Sequence, residues 1–418
     1  MGARQIISKL SLQTREHRRW TTPRYYRDNT LSLRRFVLLS KGFEVELYTG
    51  TPAGNIVGLS DRIVADLNGF VREPDSRNVE YTTPPLRRYE QLLCELVRPR
   101  QQLRAYLKQL GNYTLIPGSS LALGDTHRFY RSDPDNPYHT YIEHTYGTKV
   151  VTASVHINIG IANPELLMQA CRLVRVEAPL YLALTASSPF LGGQITGAHS
   201  SRWRVFPKTP PQVPLFESHQ HHIQWTEHQL EQGSMQNVRH LWLSVRPNGD
   251  RRPYCLNRLE LRICDLVSDP VQLLAVTALL EARLLQLFQD PSLDPLESSQ
   301  LAAHTRADEL LQLTDANEIA VADQSLEAQL RHWRDGSPIL AADWLQQLYD
   351  QVWPTAKAYG ISCFLVPLKK ILRQGNEAQL WLRQAQTASV SQVVVQAIDT
   401  MRRQEEGLSD DICEPKVA

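Results

Sequence analysis

No two of the six cysteines stand in a C-x-x-C spacing, which argues against a zinc ribbon, a thioredoxin-type motif and a disulfide scaffold. Reduced thiols in a cytoplasmic protein are therefore expected. Cys255 and Cys264, which flank one strand-like run, leave a redox-sensitive pair as the alternative to two half-buried thiols. No apolar run approaches the roughly 18 to 20 residues needed to span a bilayer, and no N-terminal hydrophobic core precedes a cleavage site. Neither a membrane partner nor secretion is expected. Charge is balanced, with a formal net value of +1, so no long-range field recruits nucleic acid, and no aromatic-basic stripe is present. Gly192-Gly193 with Gly197 matches neither a P-loop nor a Rossmann turn and reads as a flexible loop able to close on a substrate. There is no repeat at solenoid spacing.

Against these absences stands a pattern of ionisable residues inside apolar alternations. In Gly42-Phe43-Glu44-Val45-Glu46-Leu47 acids alternate with apolar residues, and a strand sends successive side chains to opposite faces. Glu44 and Glu46 therefore share a face. The alternation returns in Val155-His156-Ile157-Asn158-Ile159 and in Leu259-Glu260-Leu261-Arg262-Ile263, so three strands offer one polar surface while their other faces cover a core. Two carboxylates about 4 Å apart repel by about 4 kcal/mol at an intermediate dielectric, so Glu44, Glu46 and Glu260 call for compensating cations. Oxygen ligands with one imidazole suit magnesium or manganese better than zinc. The rival reading is an ordinary amphipathic sheet with a solvated outer face.

The chain has 418 residues, 42% of them hydrophobic, enough for a sizeable core and one to three domains. Residues 1–35 are basic and acid-poor, with Arg4, Lys9, Arg15, Arg18 and Arg19 among their cations and only Glu16 and Asp28 as acids. They read as an extension dispensable for the fold: a disordered arm, an organelle-targeting peptide or the product of a mis-assigned start. Three- and four-residue apolar steps predict a helix over 85–110, bent at Pro99. Asn163-Pro164-Glu165 and Asp269-Pro270 read as caps that open helices to about Leu184 and Phe288. A hairpin is expected over 241–263, after a loop carrying Pro207, Pro210, Pro211 and Pro214. Beyond residue 290 strand signals nearly vanish, and helices are expected over 326–333, 339–353, 365–382 and 390–403. The expected organisation is an extension at 1–35, a catalytic domain at 36–290 and a helical region at 291–418 packed on it.

Taken in order, Gly42 to Glu46, Val79-Glu80-Tyr81-Thr82-Thr83-Pro84-Pro85, Ser154 to Asn158, Leu184 to Phe190, Ser201-Arg202-Trp203-Arg204-Val205-Phe206 and Leu259 to Asp265 resemble the glutamate-cysteine ligase family. These are carboxylate-amine ligases related to glutamine synthetase, and the likeness is strongest to the cyanobacterial branch. It covers roughly residues 37 to 290. The resemblance implies an α+β fold: a glutamine-synthetase-like curved antiparallel β-sheet with helices on its outer face and a helical C-terminal region. It also implies the reaction, in which ATP phosphorylates the side-chain carboxylate of glutamate and the amine of cysteine displaces phosphate, giving γ-glutamylcysteine for glutathione biosynthesis.

By match to the family motifs, Glu44, Glu46, Glu80, His156 and Glu260 are the expected ligands of Mg2+, or of Mn2+, and Glu80 also belongs to the glutamate pocket. Arg262 is expected to touch the transferring phosphate, its alternative being a salt bridge with Glu260. Arg202 and Arg204 are candidates for gripping substrate from a mobile loop, or else are surface arginines without a role. Arg246 adds a contact to nucleotide or glutamate. Asn158 stands where many relatives carry histidine, and orients His156 or holds the amino acid. Ser187 lines the amino-acid pocket or ends a helix. His219, His221, His222 and His228 read as a solvated patch rather than a metal site. The expected partners are glutamate, cysteine and ATP, in a monomer or homo-oligomer. The rivals are a ligase for another amine, a glycosidase using paired carboxylates and a family member that binds without turnover.

Overall fold

A computed structural model of the chain describes residues 37–408; the basic extension at 1–35 lies outside them. The main sheet is antiparallel throughout. It contains β1 (Lys41–Gly50), β2 (Phe70–Arg72), β3 (Asn78–Thr82), β4 (Thr114–Ile116), β5 (Val155–Gly160), β8 (Val245–Asn248) and β9 (Arg258–Leu261). Their order is β2-β3-β1-β5-β9-β8, with β4 also pairing with β1. Short hairpins form from β6 (Phe190–Leu191) with β7 (Gln194–Ile195) and from β10 (Gln329–Arg331) with β11 (Pro338–Leu340).

The helices are α1 (Ser60–Asp66), α2 (Tyr89–Leu110), α3 (Pro137–Tyr146), α4 (Pro164–Thr185), α5 (Ser201–Val205), α6 (His219–Glu231), α7 (Pro270–Gln289), α8 (Pro295–Ser298), α9 (Arg306–Gln324), α10 (Ala341–Ala358), α11 (Ser362–Gln374), α12 (Glu377–Gln384) and α13 (Val390–Leu408). Period-two alternation makes the sheet two-faced. Phe43, Val45 and Leu47 of β1, Val155, Ile157 and Ile159 of β5, and Leu259 and Leu261 of β9 share one core with apolar residues of α2, α4 and α7. The same core runs on into Trp333, Leu345, Leu365 and Met401, so the C-terminal helices bury their stripes against the body of the protein.

The expected caps are present: Asn163 Oδ1 accepts from Leu166 N at 3.0 Å and Asp269 Oδ1 from Val271 N at 2.8 Å. Several expectations are corrected. Residues 326–333 are not a helix but the end of a 3-10 turn and strand β10. Asp335 Oδ1 accepts from Ser337 N and Gly336 adopts φ +72°, a tight turn that pairs the apolar residues as a hairpin. The helix expected over 365–382 is two helices, because Gly375 at φ +90° ends α11 and a capping box at Asn376 starts α12. Helix α7 is, by length and composition, apolar enough to cross a membrane, and its most apolar stretch is 78% buried inside the protein; the expectation overlooked that run. Cys94 is disulfide-bonded, against reduced thiols throughout. Cys255 and Cys264 are both free, the first exposed and the second buried, so they form no pair.

Candidate active site

The register of the central strands sets three rows of ionisable side chains on the face opposite the core. Glu46 lies across from Glu80, and Glu44 lies between Thr82 and His156. In the third row Asn158 is opposite Glu260, which is opposite Arg246. His156 Nδ1 is 3.1 Å from Glu44 Oε2 and 3.6 Å from Glu260 Oε1. Ser154 Oγ links the other side, donating to Glu46 Oε2 at 2.8 Å and lying 3.1 Å from His156 Nε2. Asn158 Nδ2 donates to Glu44 Oε1 at 3.3 Å.

Glu260 is fully buried, and two arginines hold it. Arg246 binds both oxygens, at 2.7 and 3.0 Å, and Arg262 Nη1 reaches Oε1 at 2.5 Å. Asn248 Nδ2 adds a bond of 2.6 Å. Burial alone would raise the Glu260 carboxyl, but Arg246, Arg262 and His156 together hold it well below the usual range. Burial and the neighbouring Glu260 push Glu44 up; the hydrogen bond and charge of His156, with Arg262, outweigh them and leave it lowered. Burial lowers the Arg262 guanidinium, yet its pairing with Glu260 raises it on balance. Both acids are thus held as carboxylates.

One ligand atom from each of Glu44, His156 and Glu260 can be chosen so that all lie within 4.8 Å of one another, and the same is true of Glu46, Glu73 and Glu80. Two adjacent oxygen-rich groups with a single imidazole fit the coordination of Mg2+ or Mn2+. Glu73, in the loop after β2, was absent from the expected ligand set, because it sits beside Pro74 and outside any alternation.

The family model described as Glutamate-cysteine ligase family 2 (GCS2) matches residues 40–414. The chain belongs to that family. A GCS2 relative from Sorangium cellulosum, named "Putative glutamate--cysteine ligase 2", is 27% identical over 59% of this chain and 62% of its own length. One from Rubrobacter xylanophilus, "Putative glutamate--cysteine ligase 2-1", is 29% identical over 59% of this chain and 65% of its own. The matched part spans less than two thirds of either relative. The crystal structure of a glutamate–cysteine ligase from Francisella tularensis superposes with a TM-score of 0.66, covering 91% of this chain and 96% of that one at 14% identity. The GCS2 chain therefore has the fold of that ligase, mixed helices around an antiparallel sheet.

Within the GCS2 fold, Glu44, Glu46, Glu80, His156, Asn158, Arg246, Glu260 and Arg262 share the polar face, while other candidates stand apart. Arg202 is not on a mobile loop. It lies in α5, buried, and donates to the carbonyls of Ile263 and Arg262 at 3.0 and 2.9 Å, bracing the strand that carries Glu260. Arg204 is half exposed and pairs with Asp323 of α9. Arg246 is consumed by Glu260 and by the carbonyls of Arg239 and Leu241, both at 3.0 Å, so it positions Glu260 and has little left for a ligand. Ser187 Oγ donates to Leu266 O at 2.8 Å, and its backbone N–H to Asp265 Oδ2 at 2.9 Å. The histidine stretch forms α6, and His222 is buried against Phe216. Burial first, then His219, His221 and Arg252, lower its pKa to about 3, so the patch is not wholly solvated.

Proposed function

We propose that this GCS2 protein is an ATP-dependent ligase that joins the side-chain carboxylate of glutamate to the amine of cysteine through a γ-glutamyl phosphate, the first step of glutathione synthesis. The carrying observation is the pair of carboxylate groups, Glu44–His156–Glu260 and Glu46–Glu73–Glu80, with the Arg262 guanidinium at their edge. Phosphoryl transfer needs charge neutralisation and in-line positioning, and little covalent work by the protein. These six side chains would hold magnesium, which supplies neutralisation of the phosphate oxygens. Arg262 lies 3.4 Å from His156 Nδ1, where a guanidinium can meet a phosphoryl oxygen. Arg246, Asn248 and Arg202 fix Glu260 and its strand, so the carboxylates need not reorganise as charge moves. The Francisella tularensis ligase was crystallised in complex with AMP, which supports an adenine nucleotide as the phosphoryl donor.

Magnesium-dependent phosphate release from ATP with glutamate, with and without cysteine, tests the proposal when the product is identified by mass. Cysteine-dependent release with γ-glutamylcysteine is the expected result. Release with a different amine alone would reassign the acceptor, and no release with any amine would overturn the reading.

A further inference from the structure

One side chain that belongs to neither carboxylate group joins the two. Ser154 immediately precedes β5 and is 2% exposed, and alternation turns it to the same face as His156. Its backbone is held from both sides: its carbonyl accepts from Glu46 N at 2.9 Å, and it forms a bridge with Asp265. The hydroxyl is thereby fixed between Glu46 of one group and His156 of the other, with Oγ 2.8 Å from Glu46 Oε2 and 3.1 Å from His156 Nε2.

A serine hydroxyl has one proton to give and lone pairs to accept with. Donation to a carboxylate makes the stronger, charge-assisted bond, so the proton goes to Glu46. Toward the ring Oγ then offers only lone pairs, and Nε2 must carry hydrogen and donate to it. Whether the imidazole is neutral or charged, Nε2 keeps that hydrogen, and the atom left to meet a ligand is Nδ1. This is where the acids of the first group converge, with Glu44 Oε2 at 3.1 Å and Glu260 Oε1 at 3.6 Å. In the neutral ring the Nδ1 lone pair points among carboxylate oxygens, an arrangement that calls for a cation between them.

We propose that Ser154 is a positioning residue that presents His156 to a divalent cation through Nδ1 and ties the Glu44–His156–Glu260 group to the Glu46–Glu73–Glu80 group. The inference rests on the cation-holding role given to those groups above, and adds what fixes the ring and its tautomer. A hydrogen-bond partner on the far nitrogen of a ligating imidazole is worth roughly ten- to a hundredfold in metal affinity. Here that partner passes the bond on to an acid of the second group, so both groups depend on it. The probe is Mn2+ alone, titrated into the full-length protein and followed by electron paramagnetic resonance. Nitrogen coupling to the bound ion is read by spin-echo modulation, and isotope-labelled histidine assigns it to imidazole. Among the described residues, His156 is the one imidazole in either group.

The parent is expected to show coupling from a directly bound imidazole nitrogen. Ser154→Ala removes one oxygen without adding bulk, so it should melt close to the parent, yet bind Mn2+ about tenfold more weakly and lose or weaken the coupling. Ser154→Thr, which returns a hydroxyl, should recover both; if its extra methyl does not fit, the alanine comparison decides alone. Parental affinity and coupling in Ser154→Ala would overturn the role of Ser154 and leave the cation site standing. Mn2+ bound by the parent without imidazole coupling would overturn the Nδ1 assignment, and no Mn2+ bound by the parent would overturn the cation-holding reading itself.

Discussion

Two kinds of buried carboxylate occur in this molecule. Glu281 and Glu177 lie in the helical core. Glu281 meets Lys41 Nζ at 2.8 Å, Tyr89 Oη at 2.6 Å and the Leu39 N–H at 2.6 Å. Glu177 takes both arms of Arg283, at 3.0 and 2.6 Å, and Trp333 Nε1 at 3.1 Å. Each acid stands alone among donors, and its charge is closed off from solvent. On the polar face of the sheet, by contrast, carboxylates adjoin carboxylates, and the side chains of Glu44 and Glu46 keep 26% and 12% of their exposure. The first kind locks helices to the sheet, as Glu281 does, or to one another, as Glu177 does; the second leaves lone pairs for a ligand. Burial of charge alone therefore does not mark a functional site, whereas clustered like charges with open valence do.

Glu260 belongs to both kinds and should give the largest effect. Glu260→Gln strands Arg246 and Arg262, so it should lose both turnover, by at least about 1000-fold or roughly 4 kcal/mol, and about 3–5 kcal/mol of stability. Phosphate release and chemical denaturation read the two separately, and full stability in the variant would break the assignment of Glu260 as the arginines' anchor. Next, Glu281→Gln leaves the buried Lys41 without its counter-charge and should cost about 3–5 kcal/mol, while activity per folded molecule stays at the parent level. Loss of specific activity without loss of stability would erase the distinction between the two kinds.

Glu377 sharpens the comparison from the other side. Its hydrogen-bond donors among the described residues are neutral, Ser268 N and Oγ, each at 3.1 Å, and burial raises its pKa from 4.5 to about 7 despite them. A folded-state pKa above the unfolded value means the folded protein holds the proton more tightly. Stability should therefore fall as pH rises from about 4.5 through about 7. Glu377→Gln should remove that slope and recover at most about 3 kcal/mol above pH 7, seen in denaturation midpoints across pH. The smallest effect is expected from Arg204→Ala at the exposed Asp323 pair: less than about 1 kcal/mol and unchanged turnover.

The face shared by Glu44, Glu46, His156 and Glu260 was legible because period-two alternation fixes side-chain direction without knowledge of pairing. Register was not legible, and it is register that brings His156 level with Glu44 and Glu260 level with Arg246. Glu73 joins the second carboxylate group from a loop, where no periodicity marks it. Arg202 and Arg204 read alike in sequence, yet about half a turn of α5 separates them, which sends the first onto buried carbonyls and the second to the surface. The β10–β11 hairpin was hidden by apolar spacing that suits a helix equally well, and only the Asp335–Ser337 turn decides it.

Manganese binding to the full-length protein, followed by electron paramagnetic resonance in parent and Glu44→Gln and paired with thermal melting, tests the open cluster most directly. The account predicts that the parent binds Mn2+ and that Glu44→Gln loses at least tenfold in affinity with its melting temperature unchanged. Equal Mn2+ binding by the two proteins would contradict it.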